Sequence, residues 1–196
     1  KNKVKFFHIS TDEVYGSIKK GSFKEENSYN PSSPYSASKG GTDLIAESFN
    51  KTYNTNIKIL NLTNNYGPYQ FPEKFIPTLI LYFLKNKAAP LYGDGKNYRE
   101  WMHVSDSCTA IWKIMKLNKK FDKMNIGTGK RYSNIEILKI VYNLMRSKNL
   151  TTLSNSKYLK KVKDRPGHDL RYALNSNLFK NYTNYKMKMN LKSGLN

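Results

Sequence analysis

Val4-Lys5-Phe6-Phe7-His8-Ile9 runs directly into Ser10-Thr11-Asp12-Glu13-Val14-Tyr15-Gly16, and Tyr35-Ser36-Ala37-Ser38-Lys39 follows downstream. The first run is short, apolar and aromatic, which predicts a buried strand from Val4 to Ile9. Thr11, Asp12 and Glu13 then fall in the loop outside its carboxyl end, where open α/β sheets place their ligands. Tyr35 and Lys39 stand four residues apart at the start of a helical pattern, so both side chains share one helix face. An ammonium so placed is expected to lower the pKa of the phenol and suit it to general-base work. The stretch therefore holds a hydroxyl, two adjacent carboxylates, a phenol and an ammonium. That inventory can oxidise an alcohol and dehydrate the product. Taken singly, Asp12 and Glu13 read equally well as a solvated turn, and Tyr35 and Lys39 as an ordinary first helical turn.

Outward from this stretch, strands and helices alternate. A helix is predicted from about Pro34 to Tyr53, a strand over Ile57–Leu62 closing a first lobe, and a turn over Asn64-Asn65-Tyr66-Gly67-Pro68. Helices follow over Phe75 to Lys85 and Asp106 to Leu117, with strands at Leu91-Tyr92, Trp101 to Val104 and Met124 to Ile126. Ile135, Leu138, Val141 and Tyr142 recur at helical spacing within Asn134 to Ser147, the clearest amphipathic helix. Alternation of this kind indicates an α/β fold.

The 196 residues are 38% hydrophobic and carry a net charge of +20, enough apolar content for a sizeable core and enough charge to raise the question of a polyanion partner. The lysines are spread along the chain among asparagines rather than gathered in one block, so they read as solvated surface and nucleic acid is not the expected partner. No apolar stretch is long enough to span a bilayer and no signal-peptide pattern opens the chain, which makes a cytoplasmic location, with no membrane partner, the expectation. A single cysteine cannot form an internal disulfide. Cys108 lies in a helical pattern opened by Ser105 or Asp106 as cap, and reads as a small core residue. His8, His103 and His168 lack metal-ligand spacing.

The first two motifs resemble the extended short-chain dehydrogenase/reductase family, whose members carry Tyr-x-x-x-Lys on a helix after a strand that ends in Ser or Thr. The Thr11-Asp12-Glu13 triplet narrows the resemblance to its nucleotide-sugar 4,6-dehydratases. Later segments match that branch in order: Thr63-Asn64-Asn65-Tyr66-Gly67-Pro68-Tyr69-Gln70-Phe71-Pro72-Glu73-Lys74, Pro90-Leu91-Tyr92-Gly93-Asp94-Gly95 with Arg99-Glu100-Trp101, and Val162-Lys163-Asp164-Arg165-Pro166-Gly167-His168-Asp169. The match runs from Phe6 to about Leu195. It implies a partial Rossmann-type doubly wound parallel sheet over 1–63, bearing the catalytic residues, and a smaller α/β nucleotide-sugar-binding lobe over 64–196. It implies bound NAD, reached by Thr11, Tyr35 and Lys39, and dTDP-glucose as substrate. Catalysis would fall to Thr11, Asp12, Glu13, Tyr35 and Lys39. Asn64 would meet the sugar-phosphate region, Lys74 and Phe75 the nucleotide site, and Pro90 and Tyr92 the base; Arg99, Asn134, Arg165 and His168 would surround the pyrophosphate and deoxyribose. For Asn134, capping of the following helix is the competing reading.

No Gly-x-Gly-x-x-Gly or Gly-x-x-Gly-x-x-Gly follows any predicted strand, so the turn that lets a backbone approach a pyrophosphate is not in this sequence. The chain is accordingly expected to be a fragment, inactive alone and homodimeric when complete, that stops short of the family's last helix. Asn61 stands where the family commonly has arginine. Two alternatives remain open at this point: another nucleotide-sugar dehydratase or 4-epimerase of the superfamily, and a non-catalytic basic binding module on the same fold.

Overall fold

The computed structural model describes residues 4–196. Along the chain come β1 (Phe6–Thr11), a 3-10 turn (Asp12–Tyr15), α1 (Pro34–Tyr53), β2 (Ile57–Leu62), β3 (Asn64–Tyr66), α2 (Phe75–Leu84), β4 (Ala89–Tyr92), β5 (Tyr98–His103), α3 (Val104–Met115), β6 (Lys123–Ile126), β7 (Arg131–Ser133), α4 (Asn134–Ser147), β8 (Leu159–Val162), α5 (Asn177–Thr183) and α6 (Leu191–Leu195). Three sheets result, ordered β1-β2-β6, β3-β5-β7 and β4-β8. The first is all parallel, with Thr11 beside Leu62 and Leu62 beside Ile126. Its carboxyl ends therefore lie at one edge.

The first sheet does not stop at Thr63, because β6 returns to pair with β2 after α3 has crossed over. A boundary at that residue divides the sequence but not the sheet. One core forms where Leu60, Leu62, Met124 and Ile126 meet Ala110 and Ile114 of α3 and Phe179 of α5. A second lies under α2 and α4, where Leu79, Phe83, Leu91, Leu138, Val141 and Tyr142 pack together. Each large apolar side chain buried in this way contributes about 1.5–3 kcal/mol relative to exposure. Ile135, at the start of α4, is only partly buried beside that core.

Helix starts are fixed by local chemistry. Ser33 caps α1 and exchanges hydrogen bonds with Ser36, with Pro34 at the first helical position. Ser133 does the same for α4 with Glu136. Ser133, and not Asn134, is thus the cap, which leaves the Asn134 side chain for another role.

Several expectations are corrected. β1 begins at Phe6 and extends to Thr11, and it is an edge strand among the described residues, with Phe6 57% and Ile9 44% exposed rather than buried. Thr11 belongs to the strand and Asp12 and Glu13 to the 3-10 turn, where an open loop was predicted. Asn64-Asn65-Tyr66 forms a strand beside β5, and the turn begins only at Gly67, since β5 offers a parallel partner that sequence pattern does not reveal. The α3 helix opens earlier, capped by the His103 ring, which accepts from the Ser105 amide. Asp106 instead holds the C-terminal segment by accepting from the Tyr185 hydroxyl and the Lys188 and Met189 amides. Cys108 is exposed, because α3 turns Asp106, Ser107 and Ala110 inward. The short elements β7, β8, α5 and α6 went unpredicted; Leu-Lys-Lys-Val at β8 and Arg-Tyr-Ser at β7 carry no two-residue alternation long enough to register.

Candidate active site

At the carboxyl end of β1, Thr11 accepts a hydrogen bond from the Glu13 amide at 3.3 Å and so caps the 3-10 turn that carries both carboxylates. Gly16 ends the turn at φ +77°, where an added Cβ would collide with the Asn30 carbonyl oxygen. Asp12 is only 2% exposed. The Thr11 hydroxyl reaches its Oδ1 at 3.3 Å, while its Oδ2 has no partner among the described residues. Burial, with Glu13 and Glu100 nearby, pushes the Asp12 carboxyl well above the usual range, against a smaller opposing pull from Arg99 and the Thr11 hydroxyl. Burial also raises Glu13, opposed by the guanidinium groups of Arg99 and Arg165.

Tyr35 stands at the rim, 57% exposed, one helical turn before Lys39. The Lys39 ammonium donates to the Ile9 carbonyl at 2.8 Å and not to the phenol. The phenol is accordingly raised, not lowered, by partial burial and by the charges of Glu13 and Asp12. The expected depression by Lys39 is overturned for this reason: its ammonium is spent on the strand, and the charges that act on the phenol, those of Glu13 and Asp12, are negative.

Thr11, Glu13, Tyr35, Asn64, Lys74, Arg99, Arg165 and His168 line one cleft of about 560 Å³. A second cleft of about 420 Å³ is lined by Phe75, Pro90, Tyr92 and Asn134 and shares Asn64, Arg99, Arg165 and His168 with the first. Asp12 and Lys39 line neither cleft: Asp12 is buried under the turn, and Lys39 reaches back to β1. The shared residues make the two clefts one continuous groove.

The part of the groove around Arg99, His168, Phe75 and Tyr92 is built from distant parts of the chain. Arg99, 6% exposed on β5, donates to the carbonyls of Tyr98 and Asp169, each at 2.9 Å, and its guanidinium lies 4.2 Å from the centre of the Tyr172 ring. His168 Nδ1 is 2.7 Å from Asp164, while its buried Nε2 has no partner among the described residues. Burial lowers the His168 pKa more than Asp164 raises it, which favours the neutral ring. Phe75 stacks on Trp101 with ring centres 6.1 Å apart. Tyr92 is 43% exposed and the Lys74 ammonium is 3.4 Å from Glu73 at the surface. Thr63 Oγ1 and Asn64 Oδ1, in residues that line the first cleft, are buried without a partner among the described residues. Both are polar atoms left unmet behind the cleft wall.

Asn61, which stands where an arginine was expected, is fully buried and donates to the Thr11 carbonyl and to Asp43, both at 3.3 Å, while its own Oδ1 has no partner among the described residues. Tyr172 went unassigned in the sequence. Its hydroxyl lies 2.6 Å from Asp169 and 3.5 Å from Glu13, inside the first cleft. An isolated tyrosine reads as core, and only its place five residues after Gly167 in a recognised motif could have singled it out.

The model of the GDP-mannose 4,6 dehydratase family matches residues 1–196. The chain is 40% identical to a probable dTDP-glucose 4,6-dehydratase of Sinorhizobium fredii over 97% of its own length and 55% of the relative's. It is 37% identical to dTDP-glucose 4,6-dehydratase 1 of Escherichia coli, covering 100% of this chain and 57% of that one. Among solved structures, dTDP-glucose 4,6-dehydratase from Bacillus anthracis in complex with NAD superposes with a TM-score of 0.88 at 39% identity, over 97% of this chain and 59% of that one. The Streptomyces venezuelae enzyme of the same name, with NAD bound, gives 0.88 at 40%, over 96% and 56%. The chain thus spans little more than half the length of the relatives it matches. With the Tyr35–Lys39 helix, the Thr11-Asp12-Glu13 turn and the cleft they border, the chain belongs to the GDP-mannose 4,6-dehydratase family.

Proposed function

We propose that this chain is the catalytic and nucleotide-sugar-binding part of a dTDP-glucose 4,6-dehydratase, with the catalytic residues in 1–63 and most nucleotide contacts in 64–196. The observation that carries the reading is Glu13 on the same cleft as Tyr35, with the Asp12 carboxyl buried directly beneath it. Elimination of water needs one carboxyl that gives a proton and one that takes it, and environments that separate their roles. Asp12 is held protonated more firmly than Glu13 is, since two guanidinium groups favour ionised Glu13.

Tyr35 takes the proton from the sugar 4-hydroxyl while Thr11 hydrogen-bonds the same oxygen. A protonated Asp12 removes one of the two negative charges that oppose ionisation of this phenol, so the acid of the second step also eases the first. The ketone so formed acidifies C5–H. Glu13 removes that proton, Asp12 donates to the departing 6-hydroxyl, and water leaves. NAD, when bound, would supply the acceptance of hydride from C4 and its return to C6, while Glu13 gives its proton back to C5. Thr11 and Tyr35 on the cleft would hold its nicotinamide end, with Lys39 supporting them from outside the cleft through the Ile9 carbonyl. The phosphates of the substrate would meet Arg99 and Arg165, whose planar forks suit paired phosphate oxygens. Lys74, Phe75, Pro90, Tyr92, Asn134 and His168 would hold the rest of the nucleotide.

A homodimer is part of the proposal, supported by the apolar outer face of α1, where Leu44, Ile45 and Phe49 are exposed. Among the described residues no helix is long and apolar enough to cross a membrane. We place the enzyme in the cytoplasm, where its cofactor and sugar nucleotide reside.

The test is mass spectrometry of the full-length enzyme with NAD and dTDP-glucose. The product should be the 4-keto-6-deoxy sugar nucleotide, one water lighter than the substrate. An isomer of unchanged mass would make the protein an epimerase and sink the reading.

A further inference from the structure

The helix bearing Tyr35 and Lys39 is tied to the sheet at a second point that the chemistry above does not use. Asp43 lies one turn beyond Lys39 and is fully buried. Its carboxylate accepts from the Ser10 hydroxyl at 2.7 Å and from the Asn61 amide at 3.3 Å, and His8 Nε2 lies 3.0 Å from its other oxygen. His8 and Ser10 are two residues apart on β1 and so face the same side. Asn61 stands beside Ser10 on β2. The Asn61 amide also donates to the Thr11 carbonyl at 3.3 Å. One carboxylate thus joins α1 to two strands and, through Asn61, to the backbone of Thr11.

A buried carboxylate is costly unless donors surround it, and removing one partner leaves the rest unsatisfied. Here the donors to one oxygen come from β1 and β2, and His8 of β1 stands beside the other, which has no hydrogen-bond partner among the described residues, so these contacts favour one setting of α1 along the sheet. The Lys39 bond to Ile9 fixes the same helix one turn earlier. Tyr35 lies two turns before Asp43, about 12 Å along the axis, and moves with it as a rigid element. A displacement near 1 Å at a reacting group can cost on the order of a hundredfold in rate.

We propose that Asp43 is a positioning residue that sets the Tyr35 phenol against Thr11, with Ser10, His8 and Asn61 as its anchors. This rests on the reading of Tyr35 as the base. The asparagine at position 61 is part of the device, since it spans from Asp43 to the Thr11 backbone.

Two measurements on Asp43→Asn test it. In the full-length enzyme labelled with 13C at tyrosine Cζ, the Tyr35 signal, assigned by its loss in Tyr35→Phe, should move while that of Tyr92 stays and dTDP affinity is unchanged. In the full-length enzyme, kcat should fall roughly ten- to hundredfold with KM for the sugar nucleotide unchanged. Should Asp43→Asn fail to fold, Ser10→Ala removes one anchor and should give a smaller change of the same kind. A folded variant with the Tyr35 signal in place, or with kcat and KM altered together, overturns the proposal. A wild-type enzyme unable to dehydrate dTDP-glucose would instead remove the functional reading and leave the tyrosine signal to decide Asp43.

Discussion

The rim formed by β1 and α1 and the part of the groove around Arg99, Arg165 and His168 carry opposite charge. At the rim, burial pushes Asp12, Glu13 and Tyr35 all up; nearby carboxylates add to the rise of Asp12 and Tyr35, whereas Arg99 and Arg165 oppose it at Glu13. On the shared part of the groove, Arg99 is held by two backbone carbonyls and a tyrosine face, and exposed Arg165 stands beside His168, whose pKa burial lowers. In the proposed mechanism the first region keeps protons where a base and an acid exchange them. The second would keep positive charge where a pyrophosphate rests. Their difference separates the effects of substitution into loss of rate and loss of affinity.

The largest effect is expected at the rim. In the full-length enzyme Tyr35→Phe removes the phenolic oxygen and leaves the ring, and turnover should fall by roughly 10²–10⁴ with dTDP affinity retained. Near-normal turnover would reject Tyr35 as base. Glu13→Gln should come next, abolishing exchange of the C5 proton with solvent deuterium while C4 oxidation survives, as read by NMR of the recovered sugar; exchange at the wild-type rate would remove Glu13 from that role.

At the other end the effects should be smaller and of the other kind. Arg99→Lys keeps the charge but loses the fork and the stacking on Tyr172, and calorimetry should show dTDP affinity lowered by about tenfold. A fall in kcat with affinity intact would blur the contrast between the regions.

The smallest effect concerns stability. A carboxyl raised on folding binds its proton more tightly in the native state, so native stability falls as pH rises from the unfolded value near 3.8 through the folded one. Asp12→Asn removes that loss. The variant should melt above the wild type at neutral pH and show little difference near pH 4, by calorimetric scanning; a lower melting point at neutral pH would mean that the buried carboxyl is ionised.

The same contrast governs how far the sequence could be read. Pro34–Tyr53, Ile57–Leu62 and Asn134–Ser147 emerged with the bounds the structure gives them, because caps and apolar periodicity are local. Rim residues were legible for the same reason, lying within one strand-turn-helix passage. What failed was non-local. That β6 rejoins the first sheet, that β1 is exposed at an edge, and that β3 pairs with β5 depend on partners far along the chain. The Lys39 effect was misjudged because helical spacing places two side chains on one face without fixing where a long flexible stem ends. Arg99, Asn134, Arg165 and His168 come from three separate segments, and only the order of the motifs, not any spacing, pointed to their convergence.

The central claim is that Asp12 gives the proton that carries off the 6-hydroxyl, and the most direct measurement is the fate of that oxygen in Asp12→Asn full-length enzyme. Supplied with NAD and dTDP-glucose, the variant should accumulate the oxidised sugar nucleotide with its 6-hydroxyl retained, seen as loss of two hydrogens without loss of water. Formation of the dehydrated product at the wild-type rate would contradict the account.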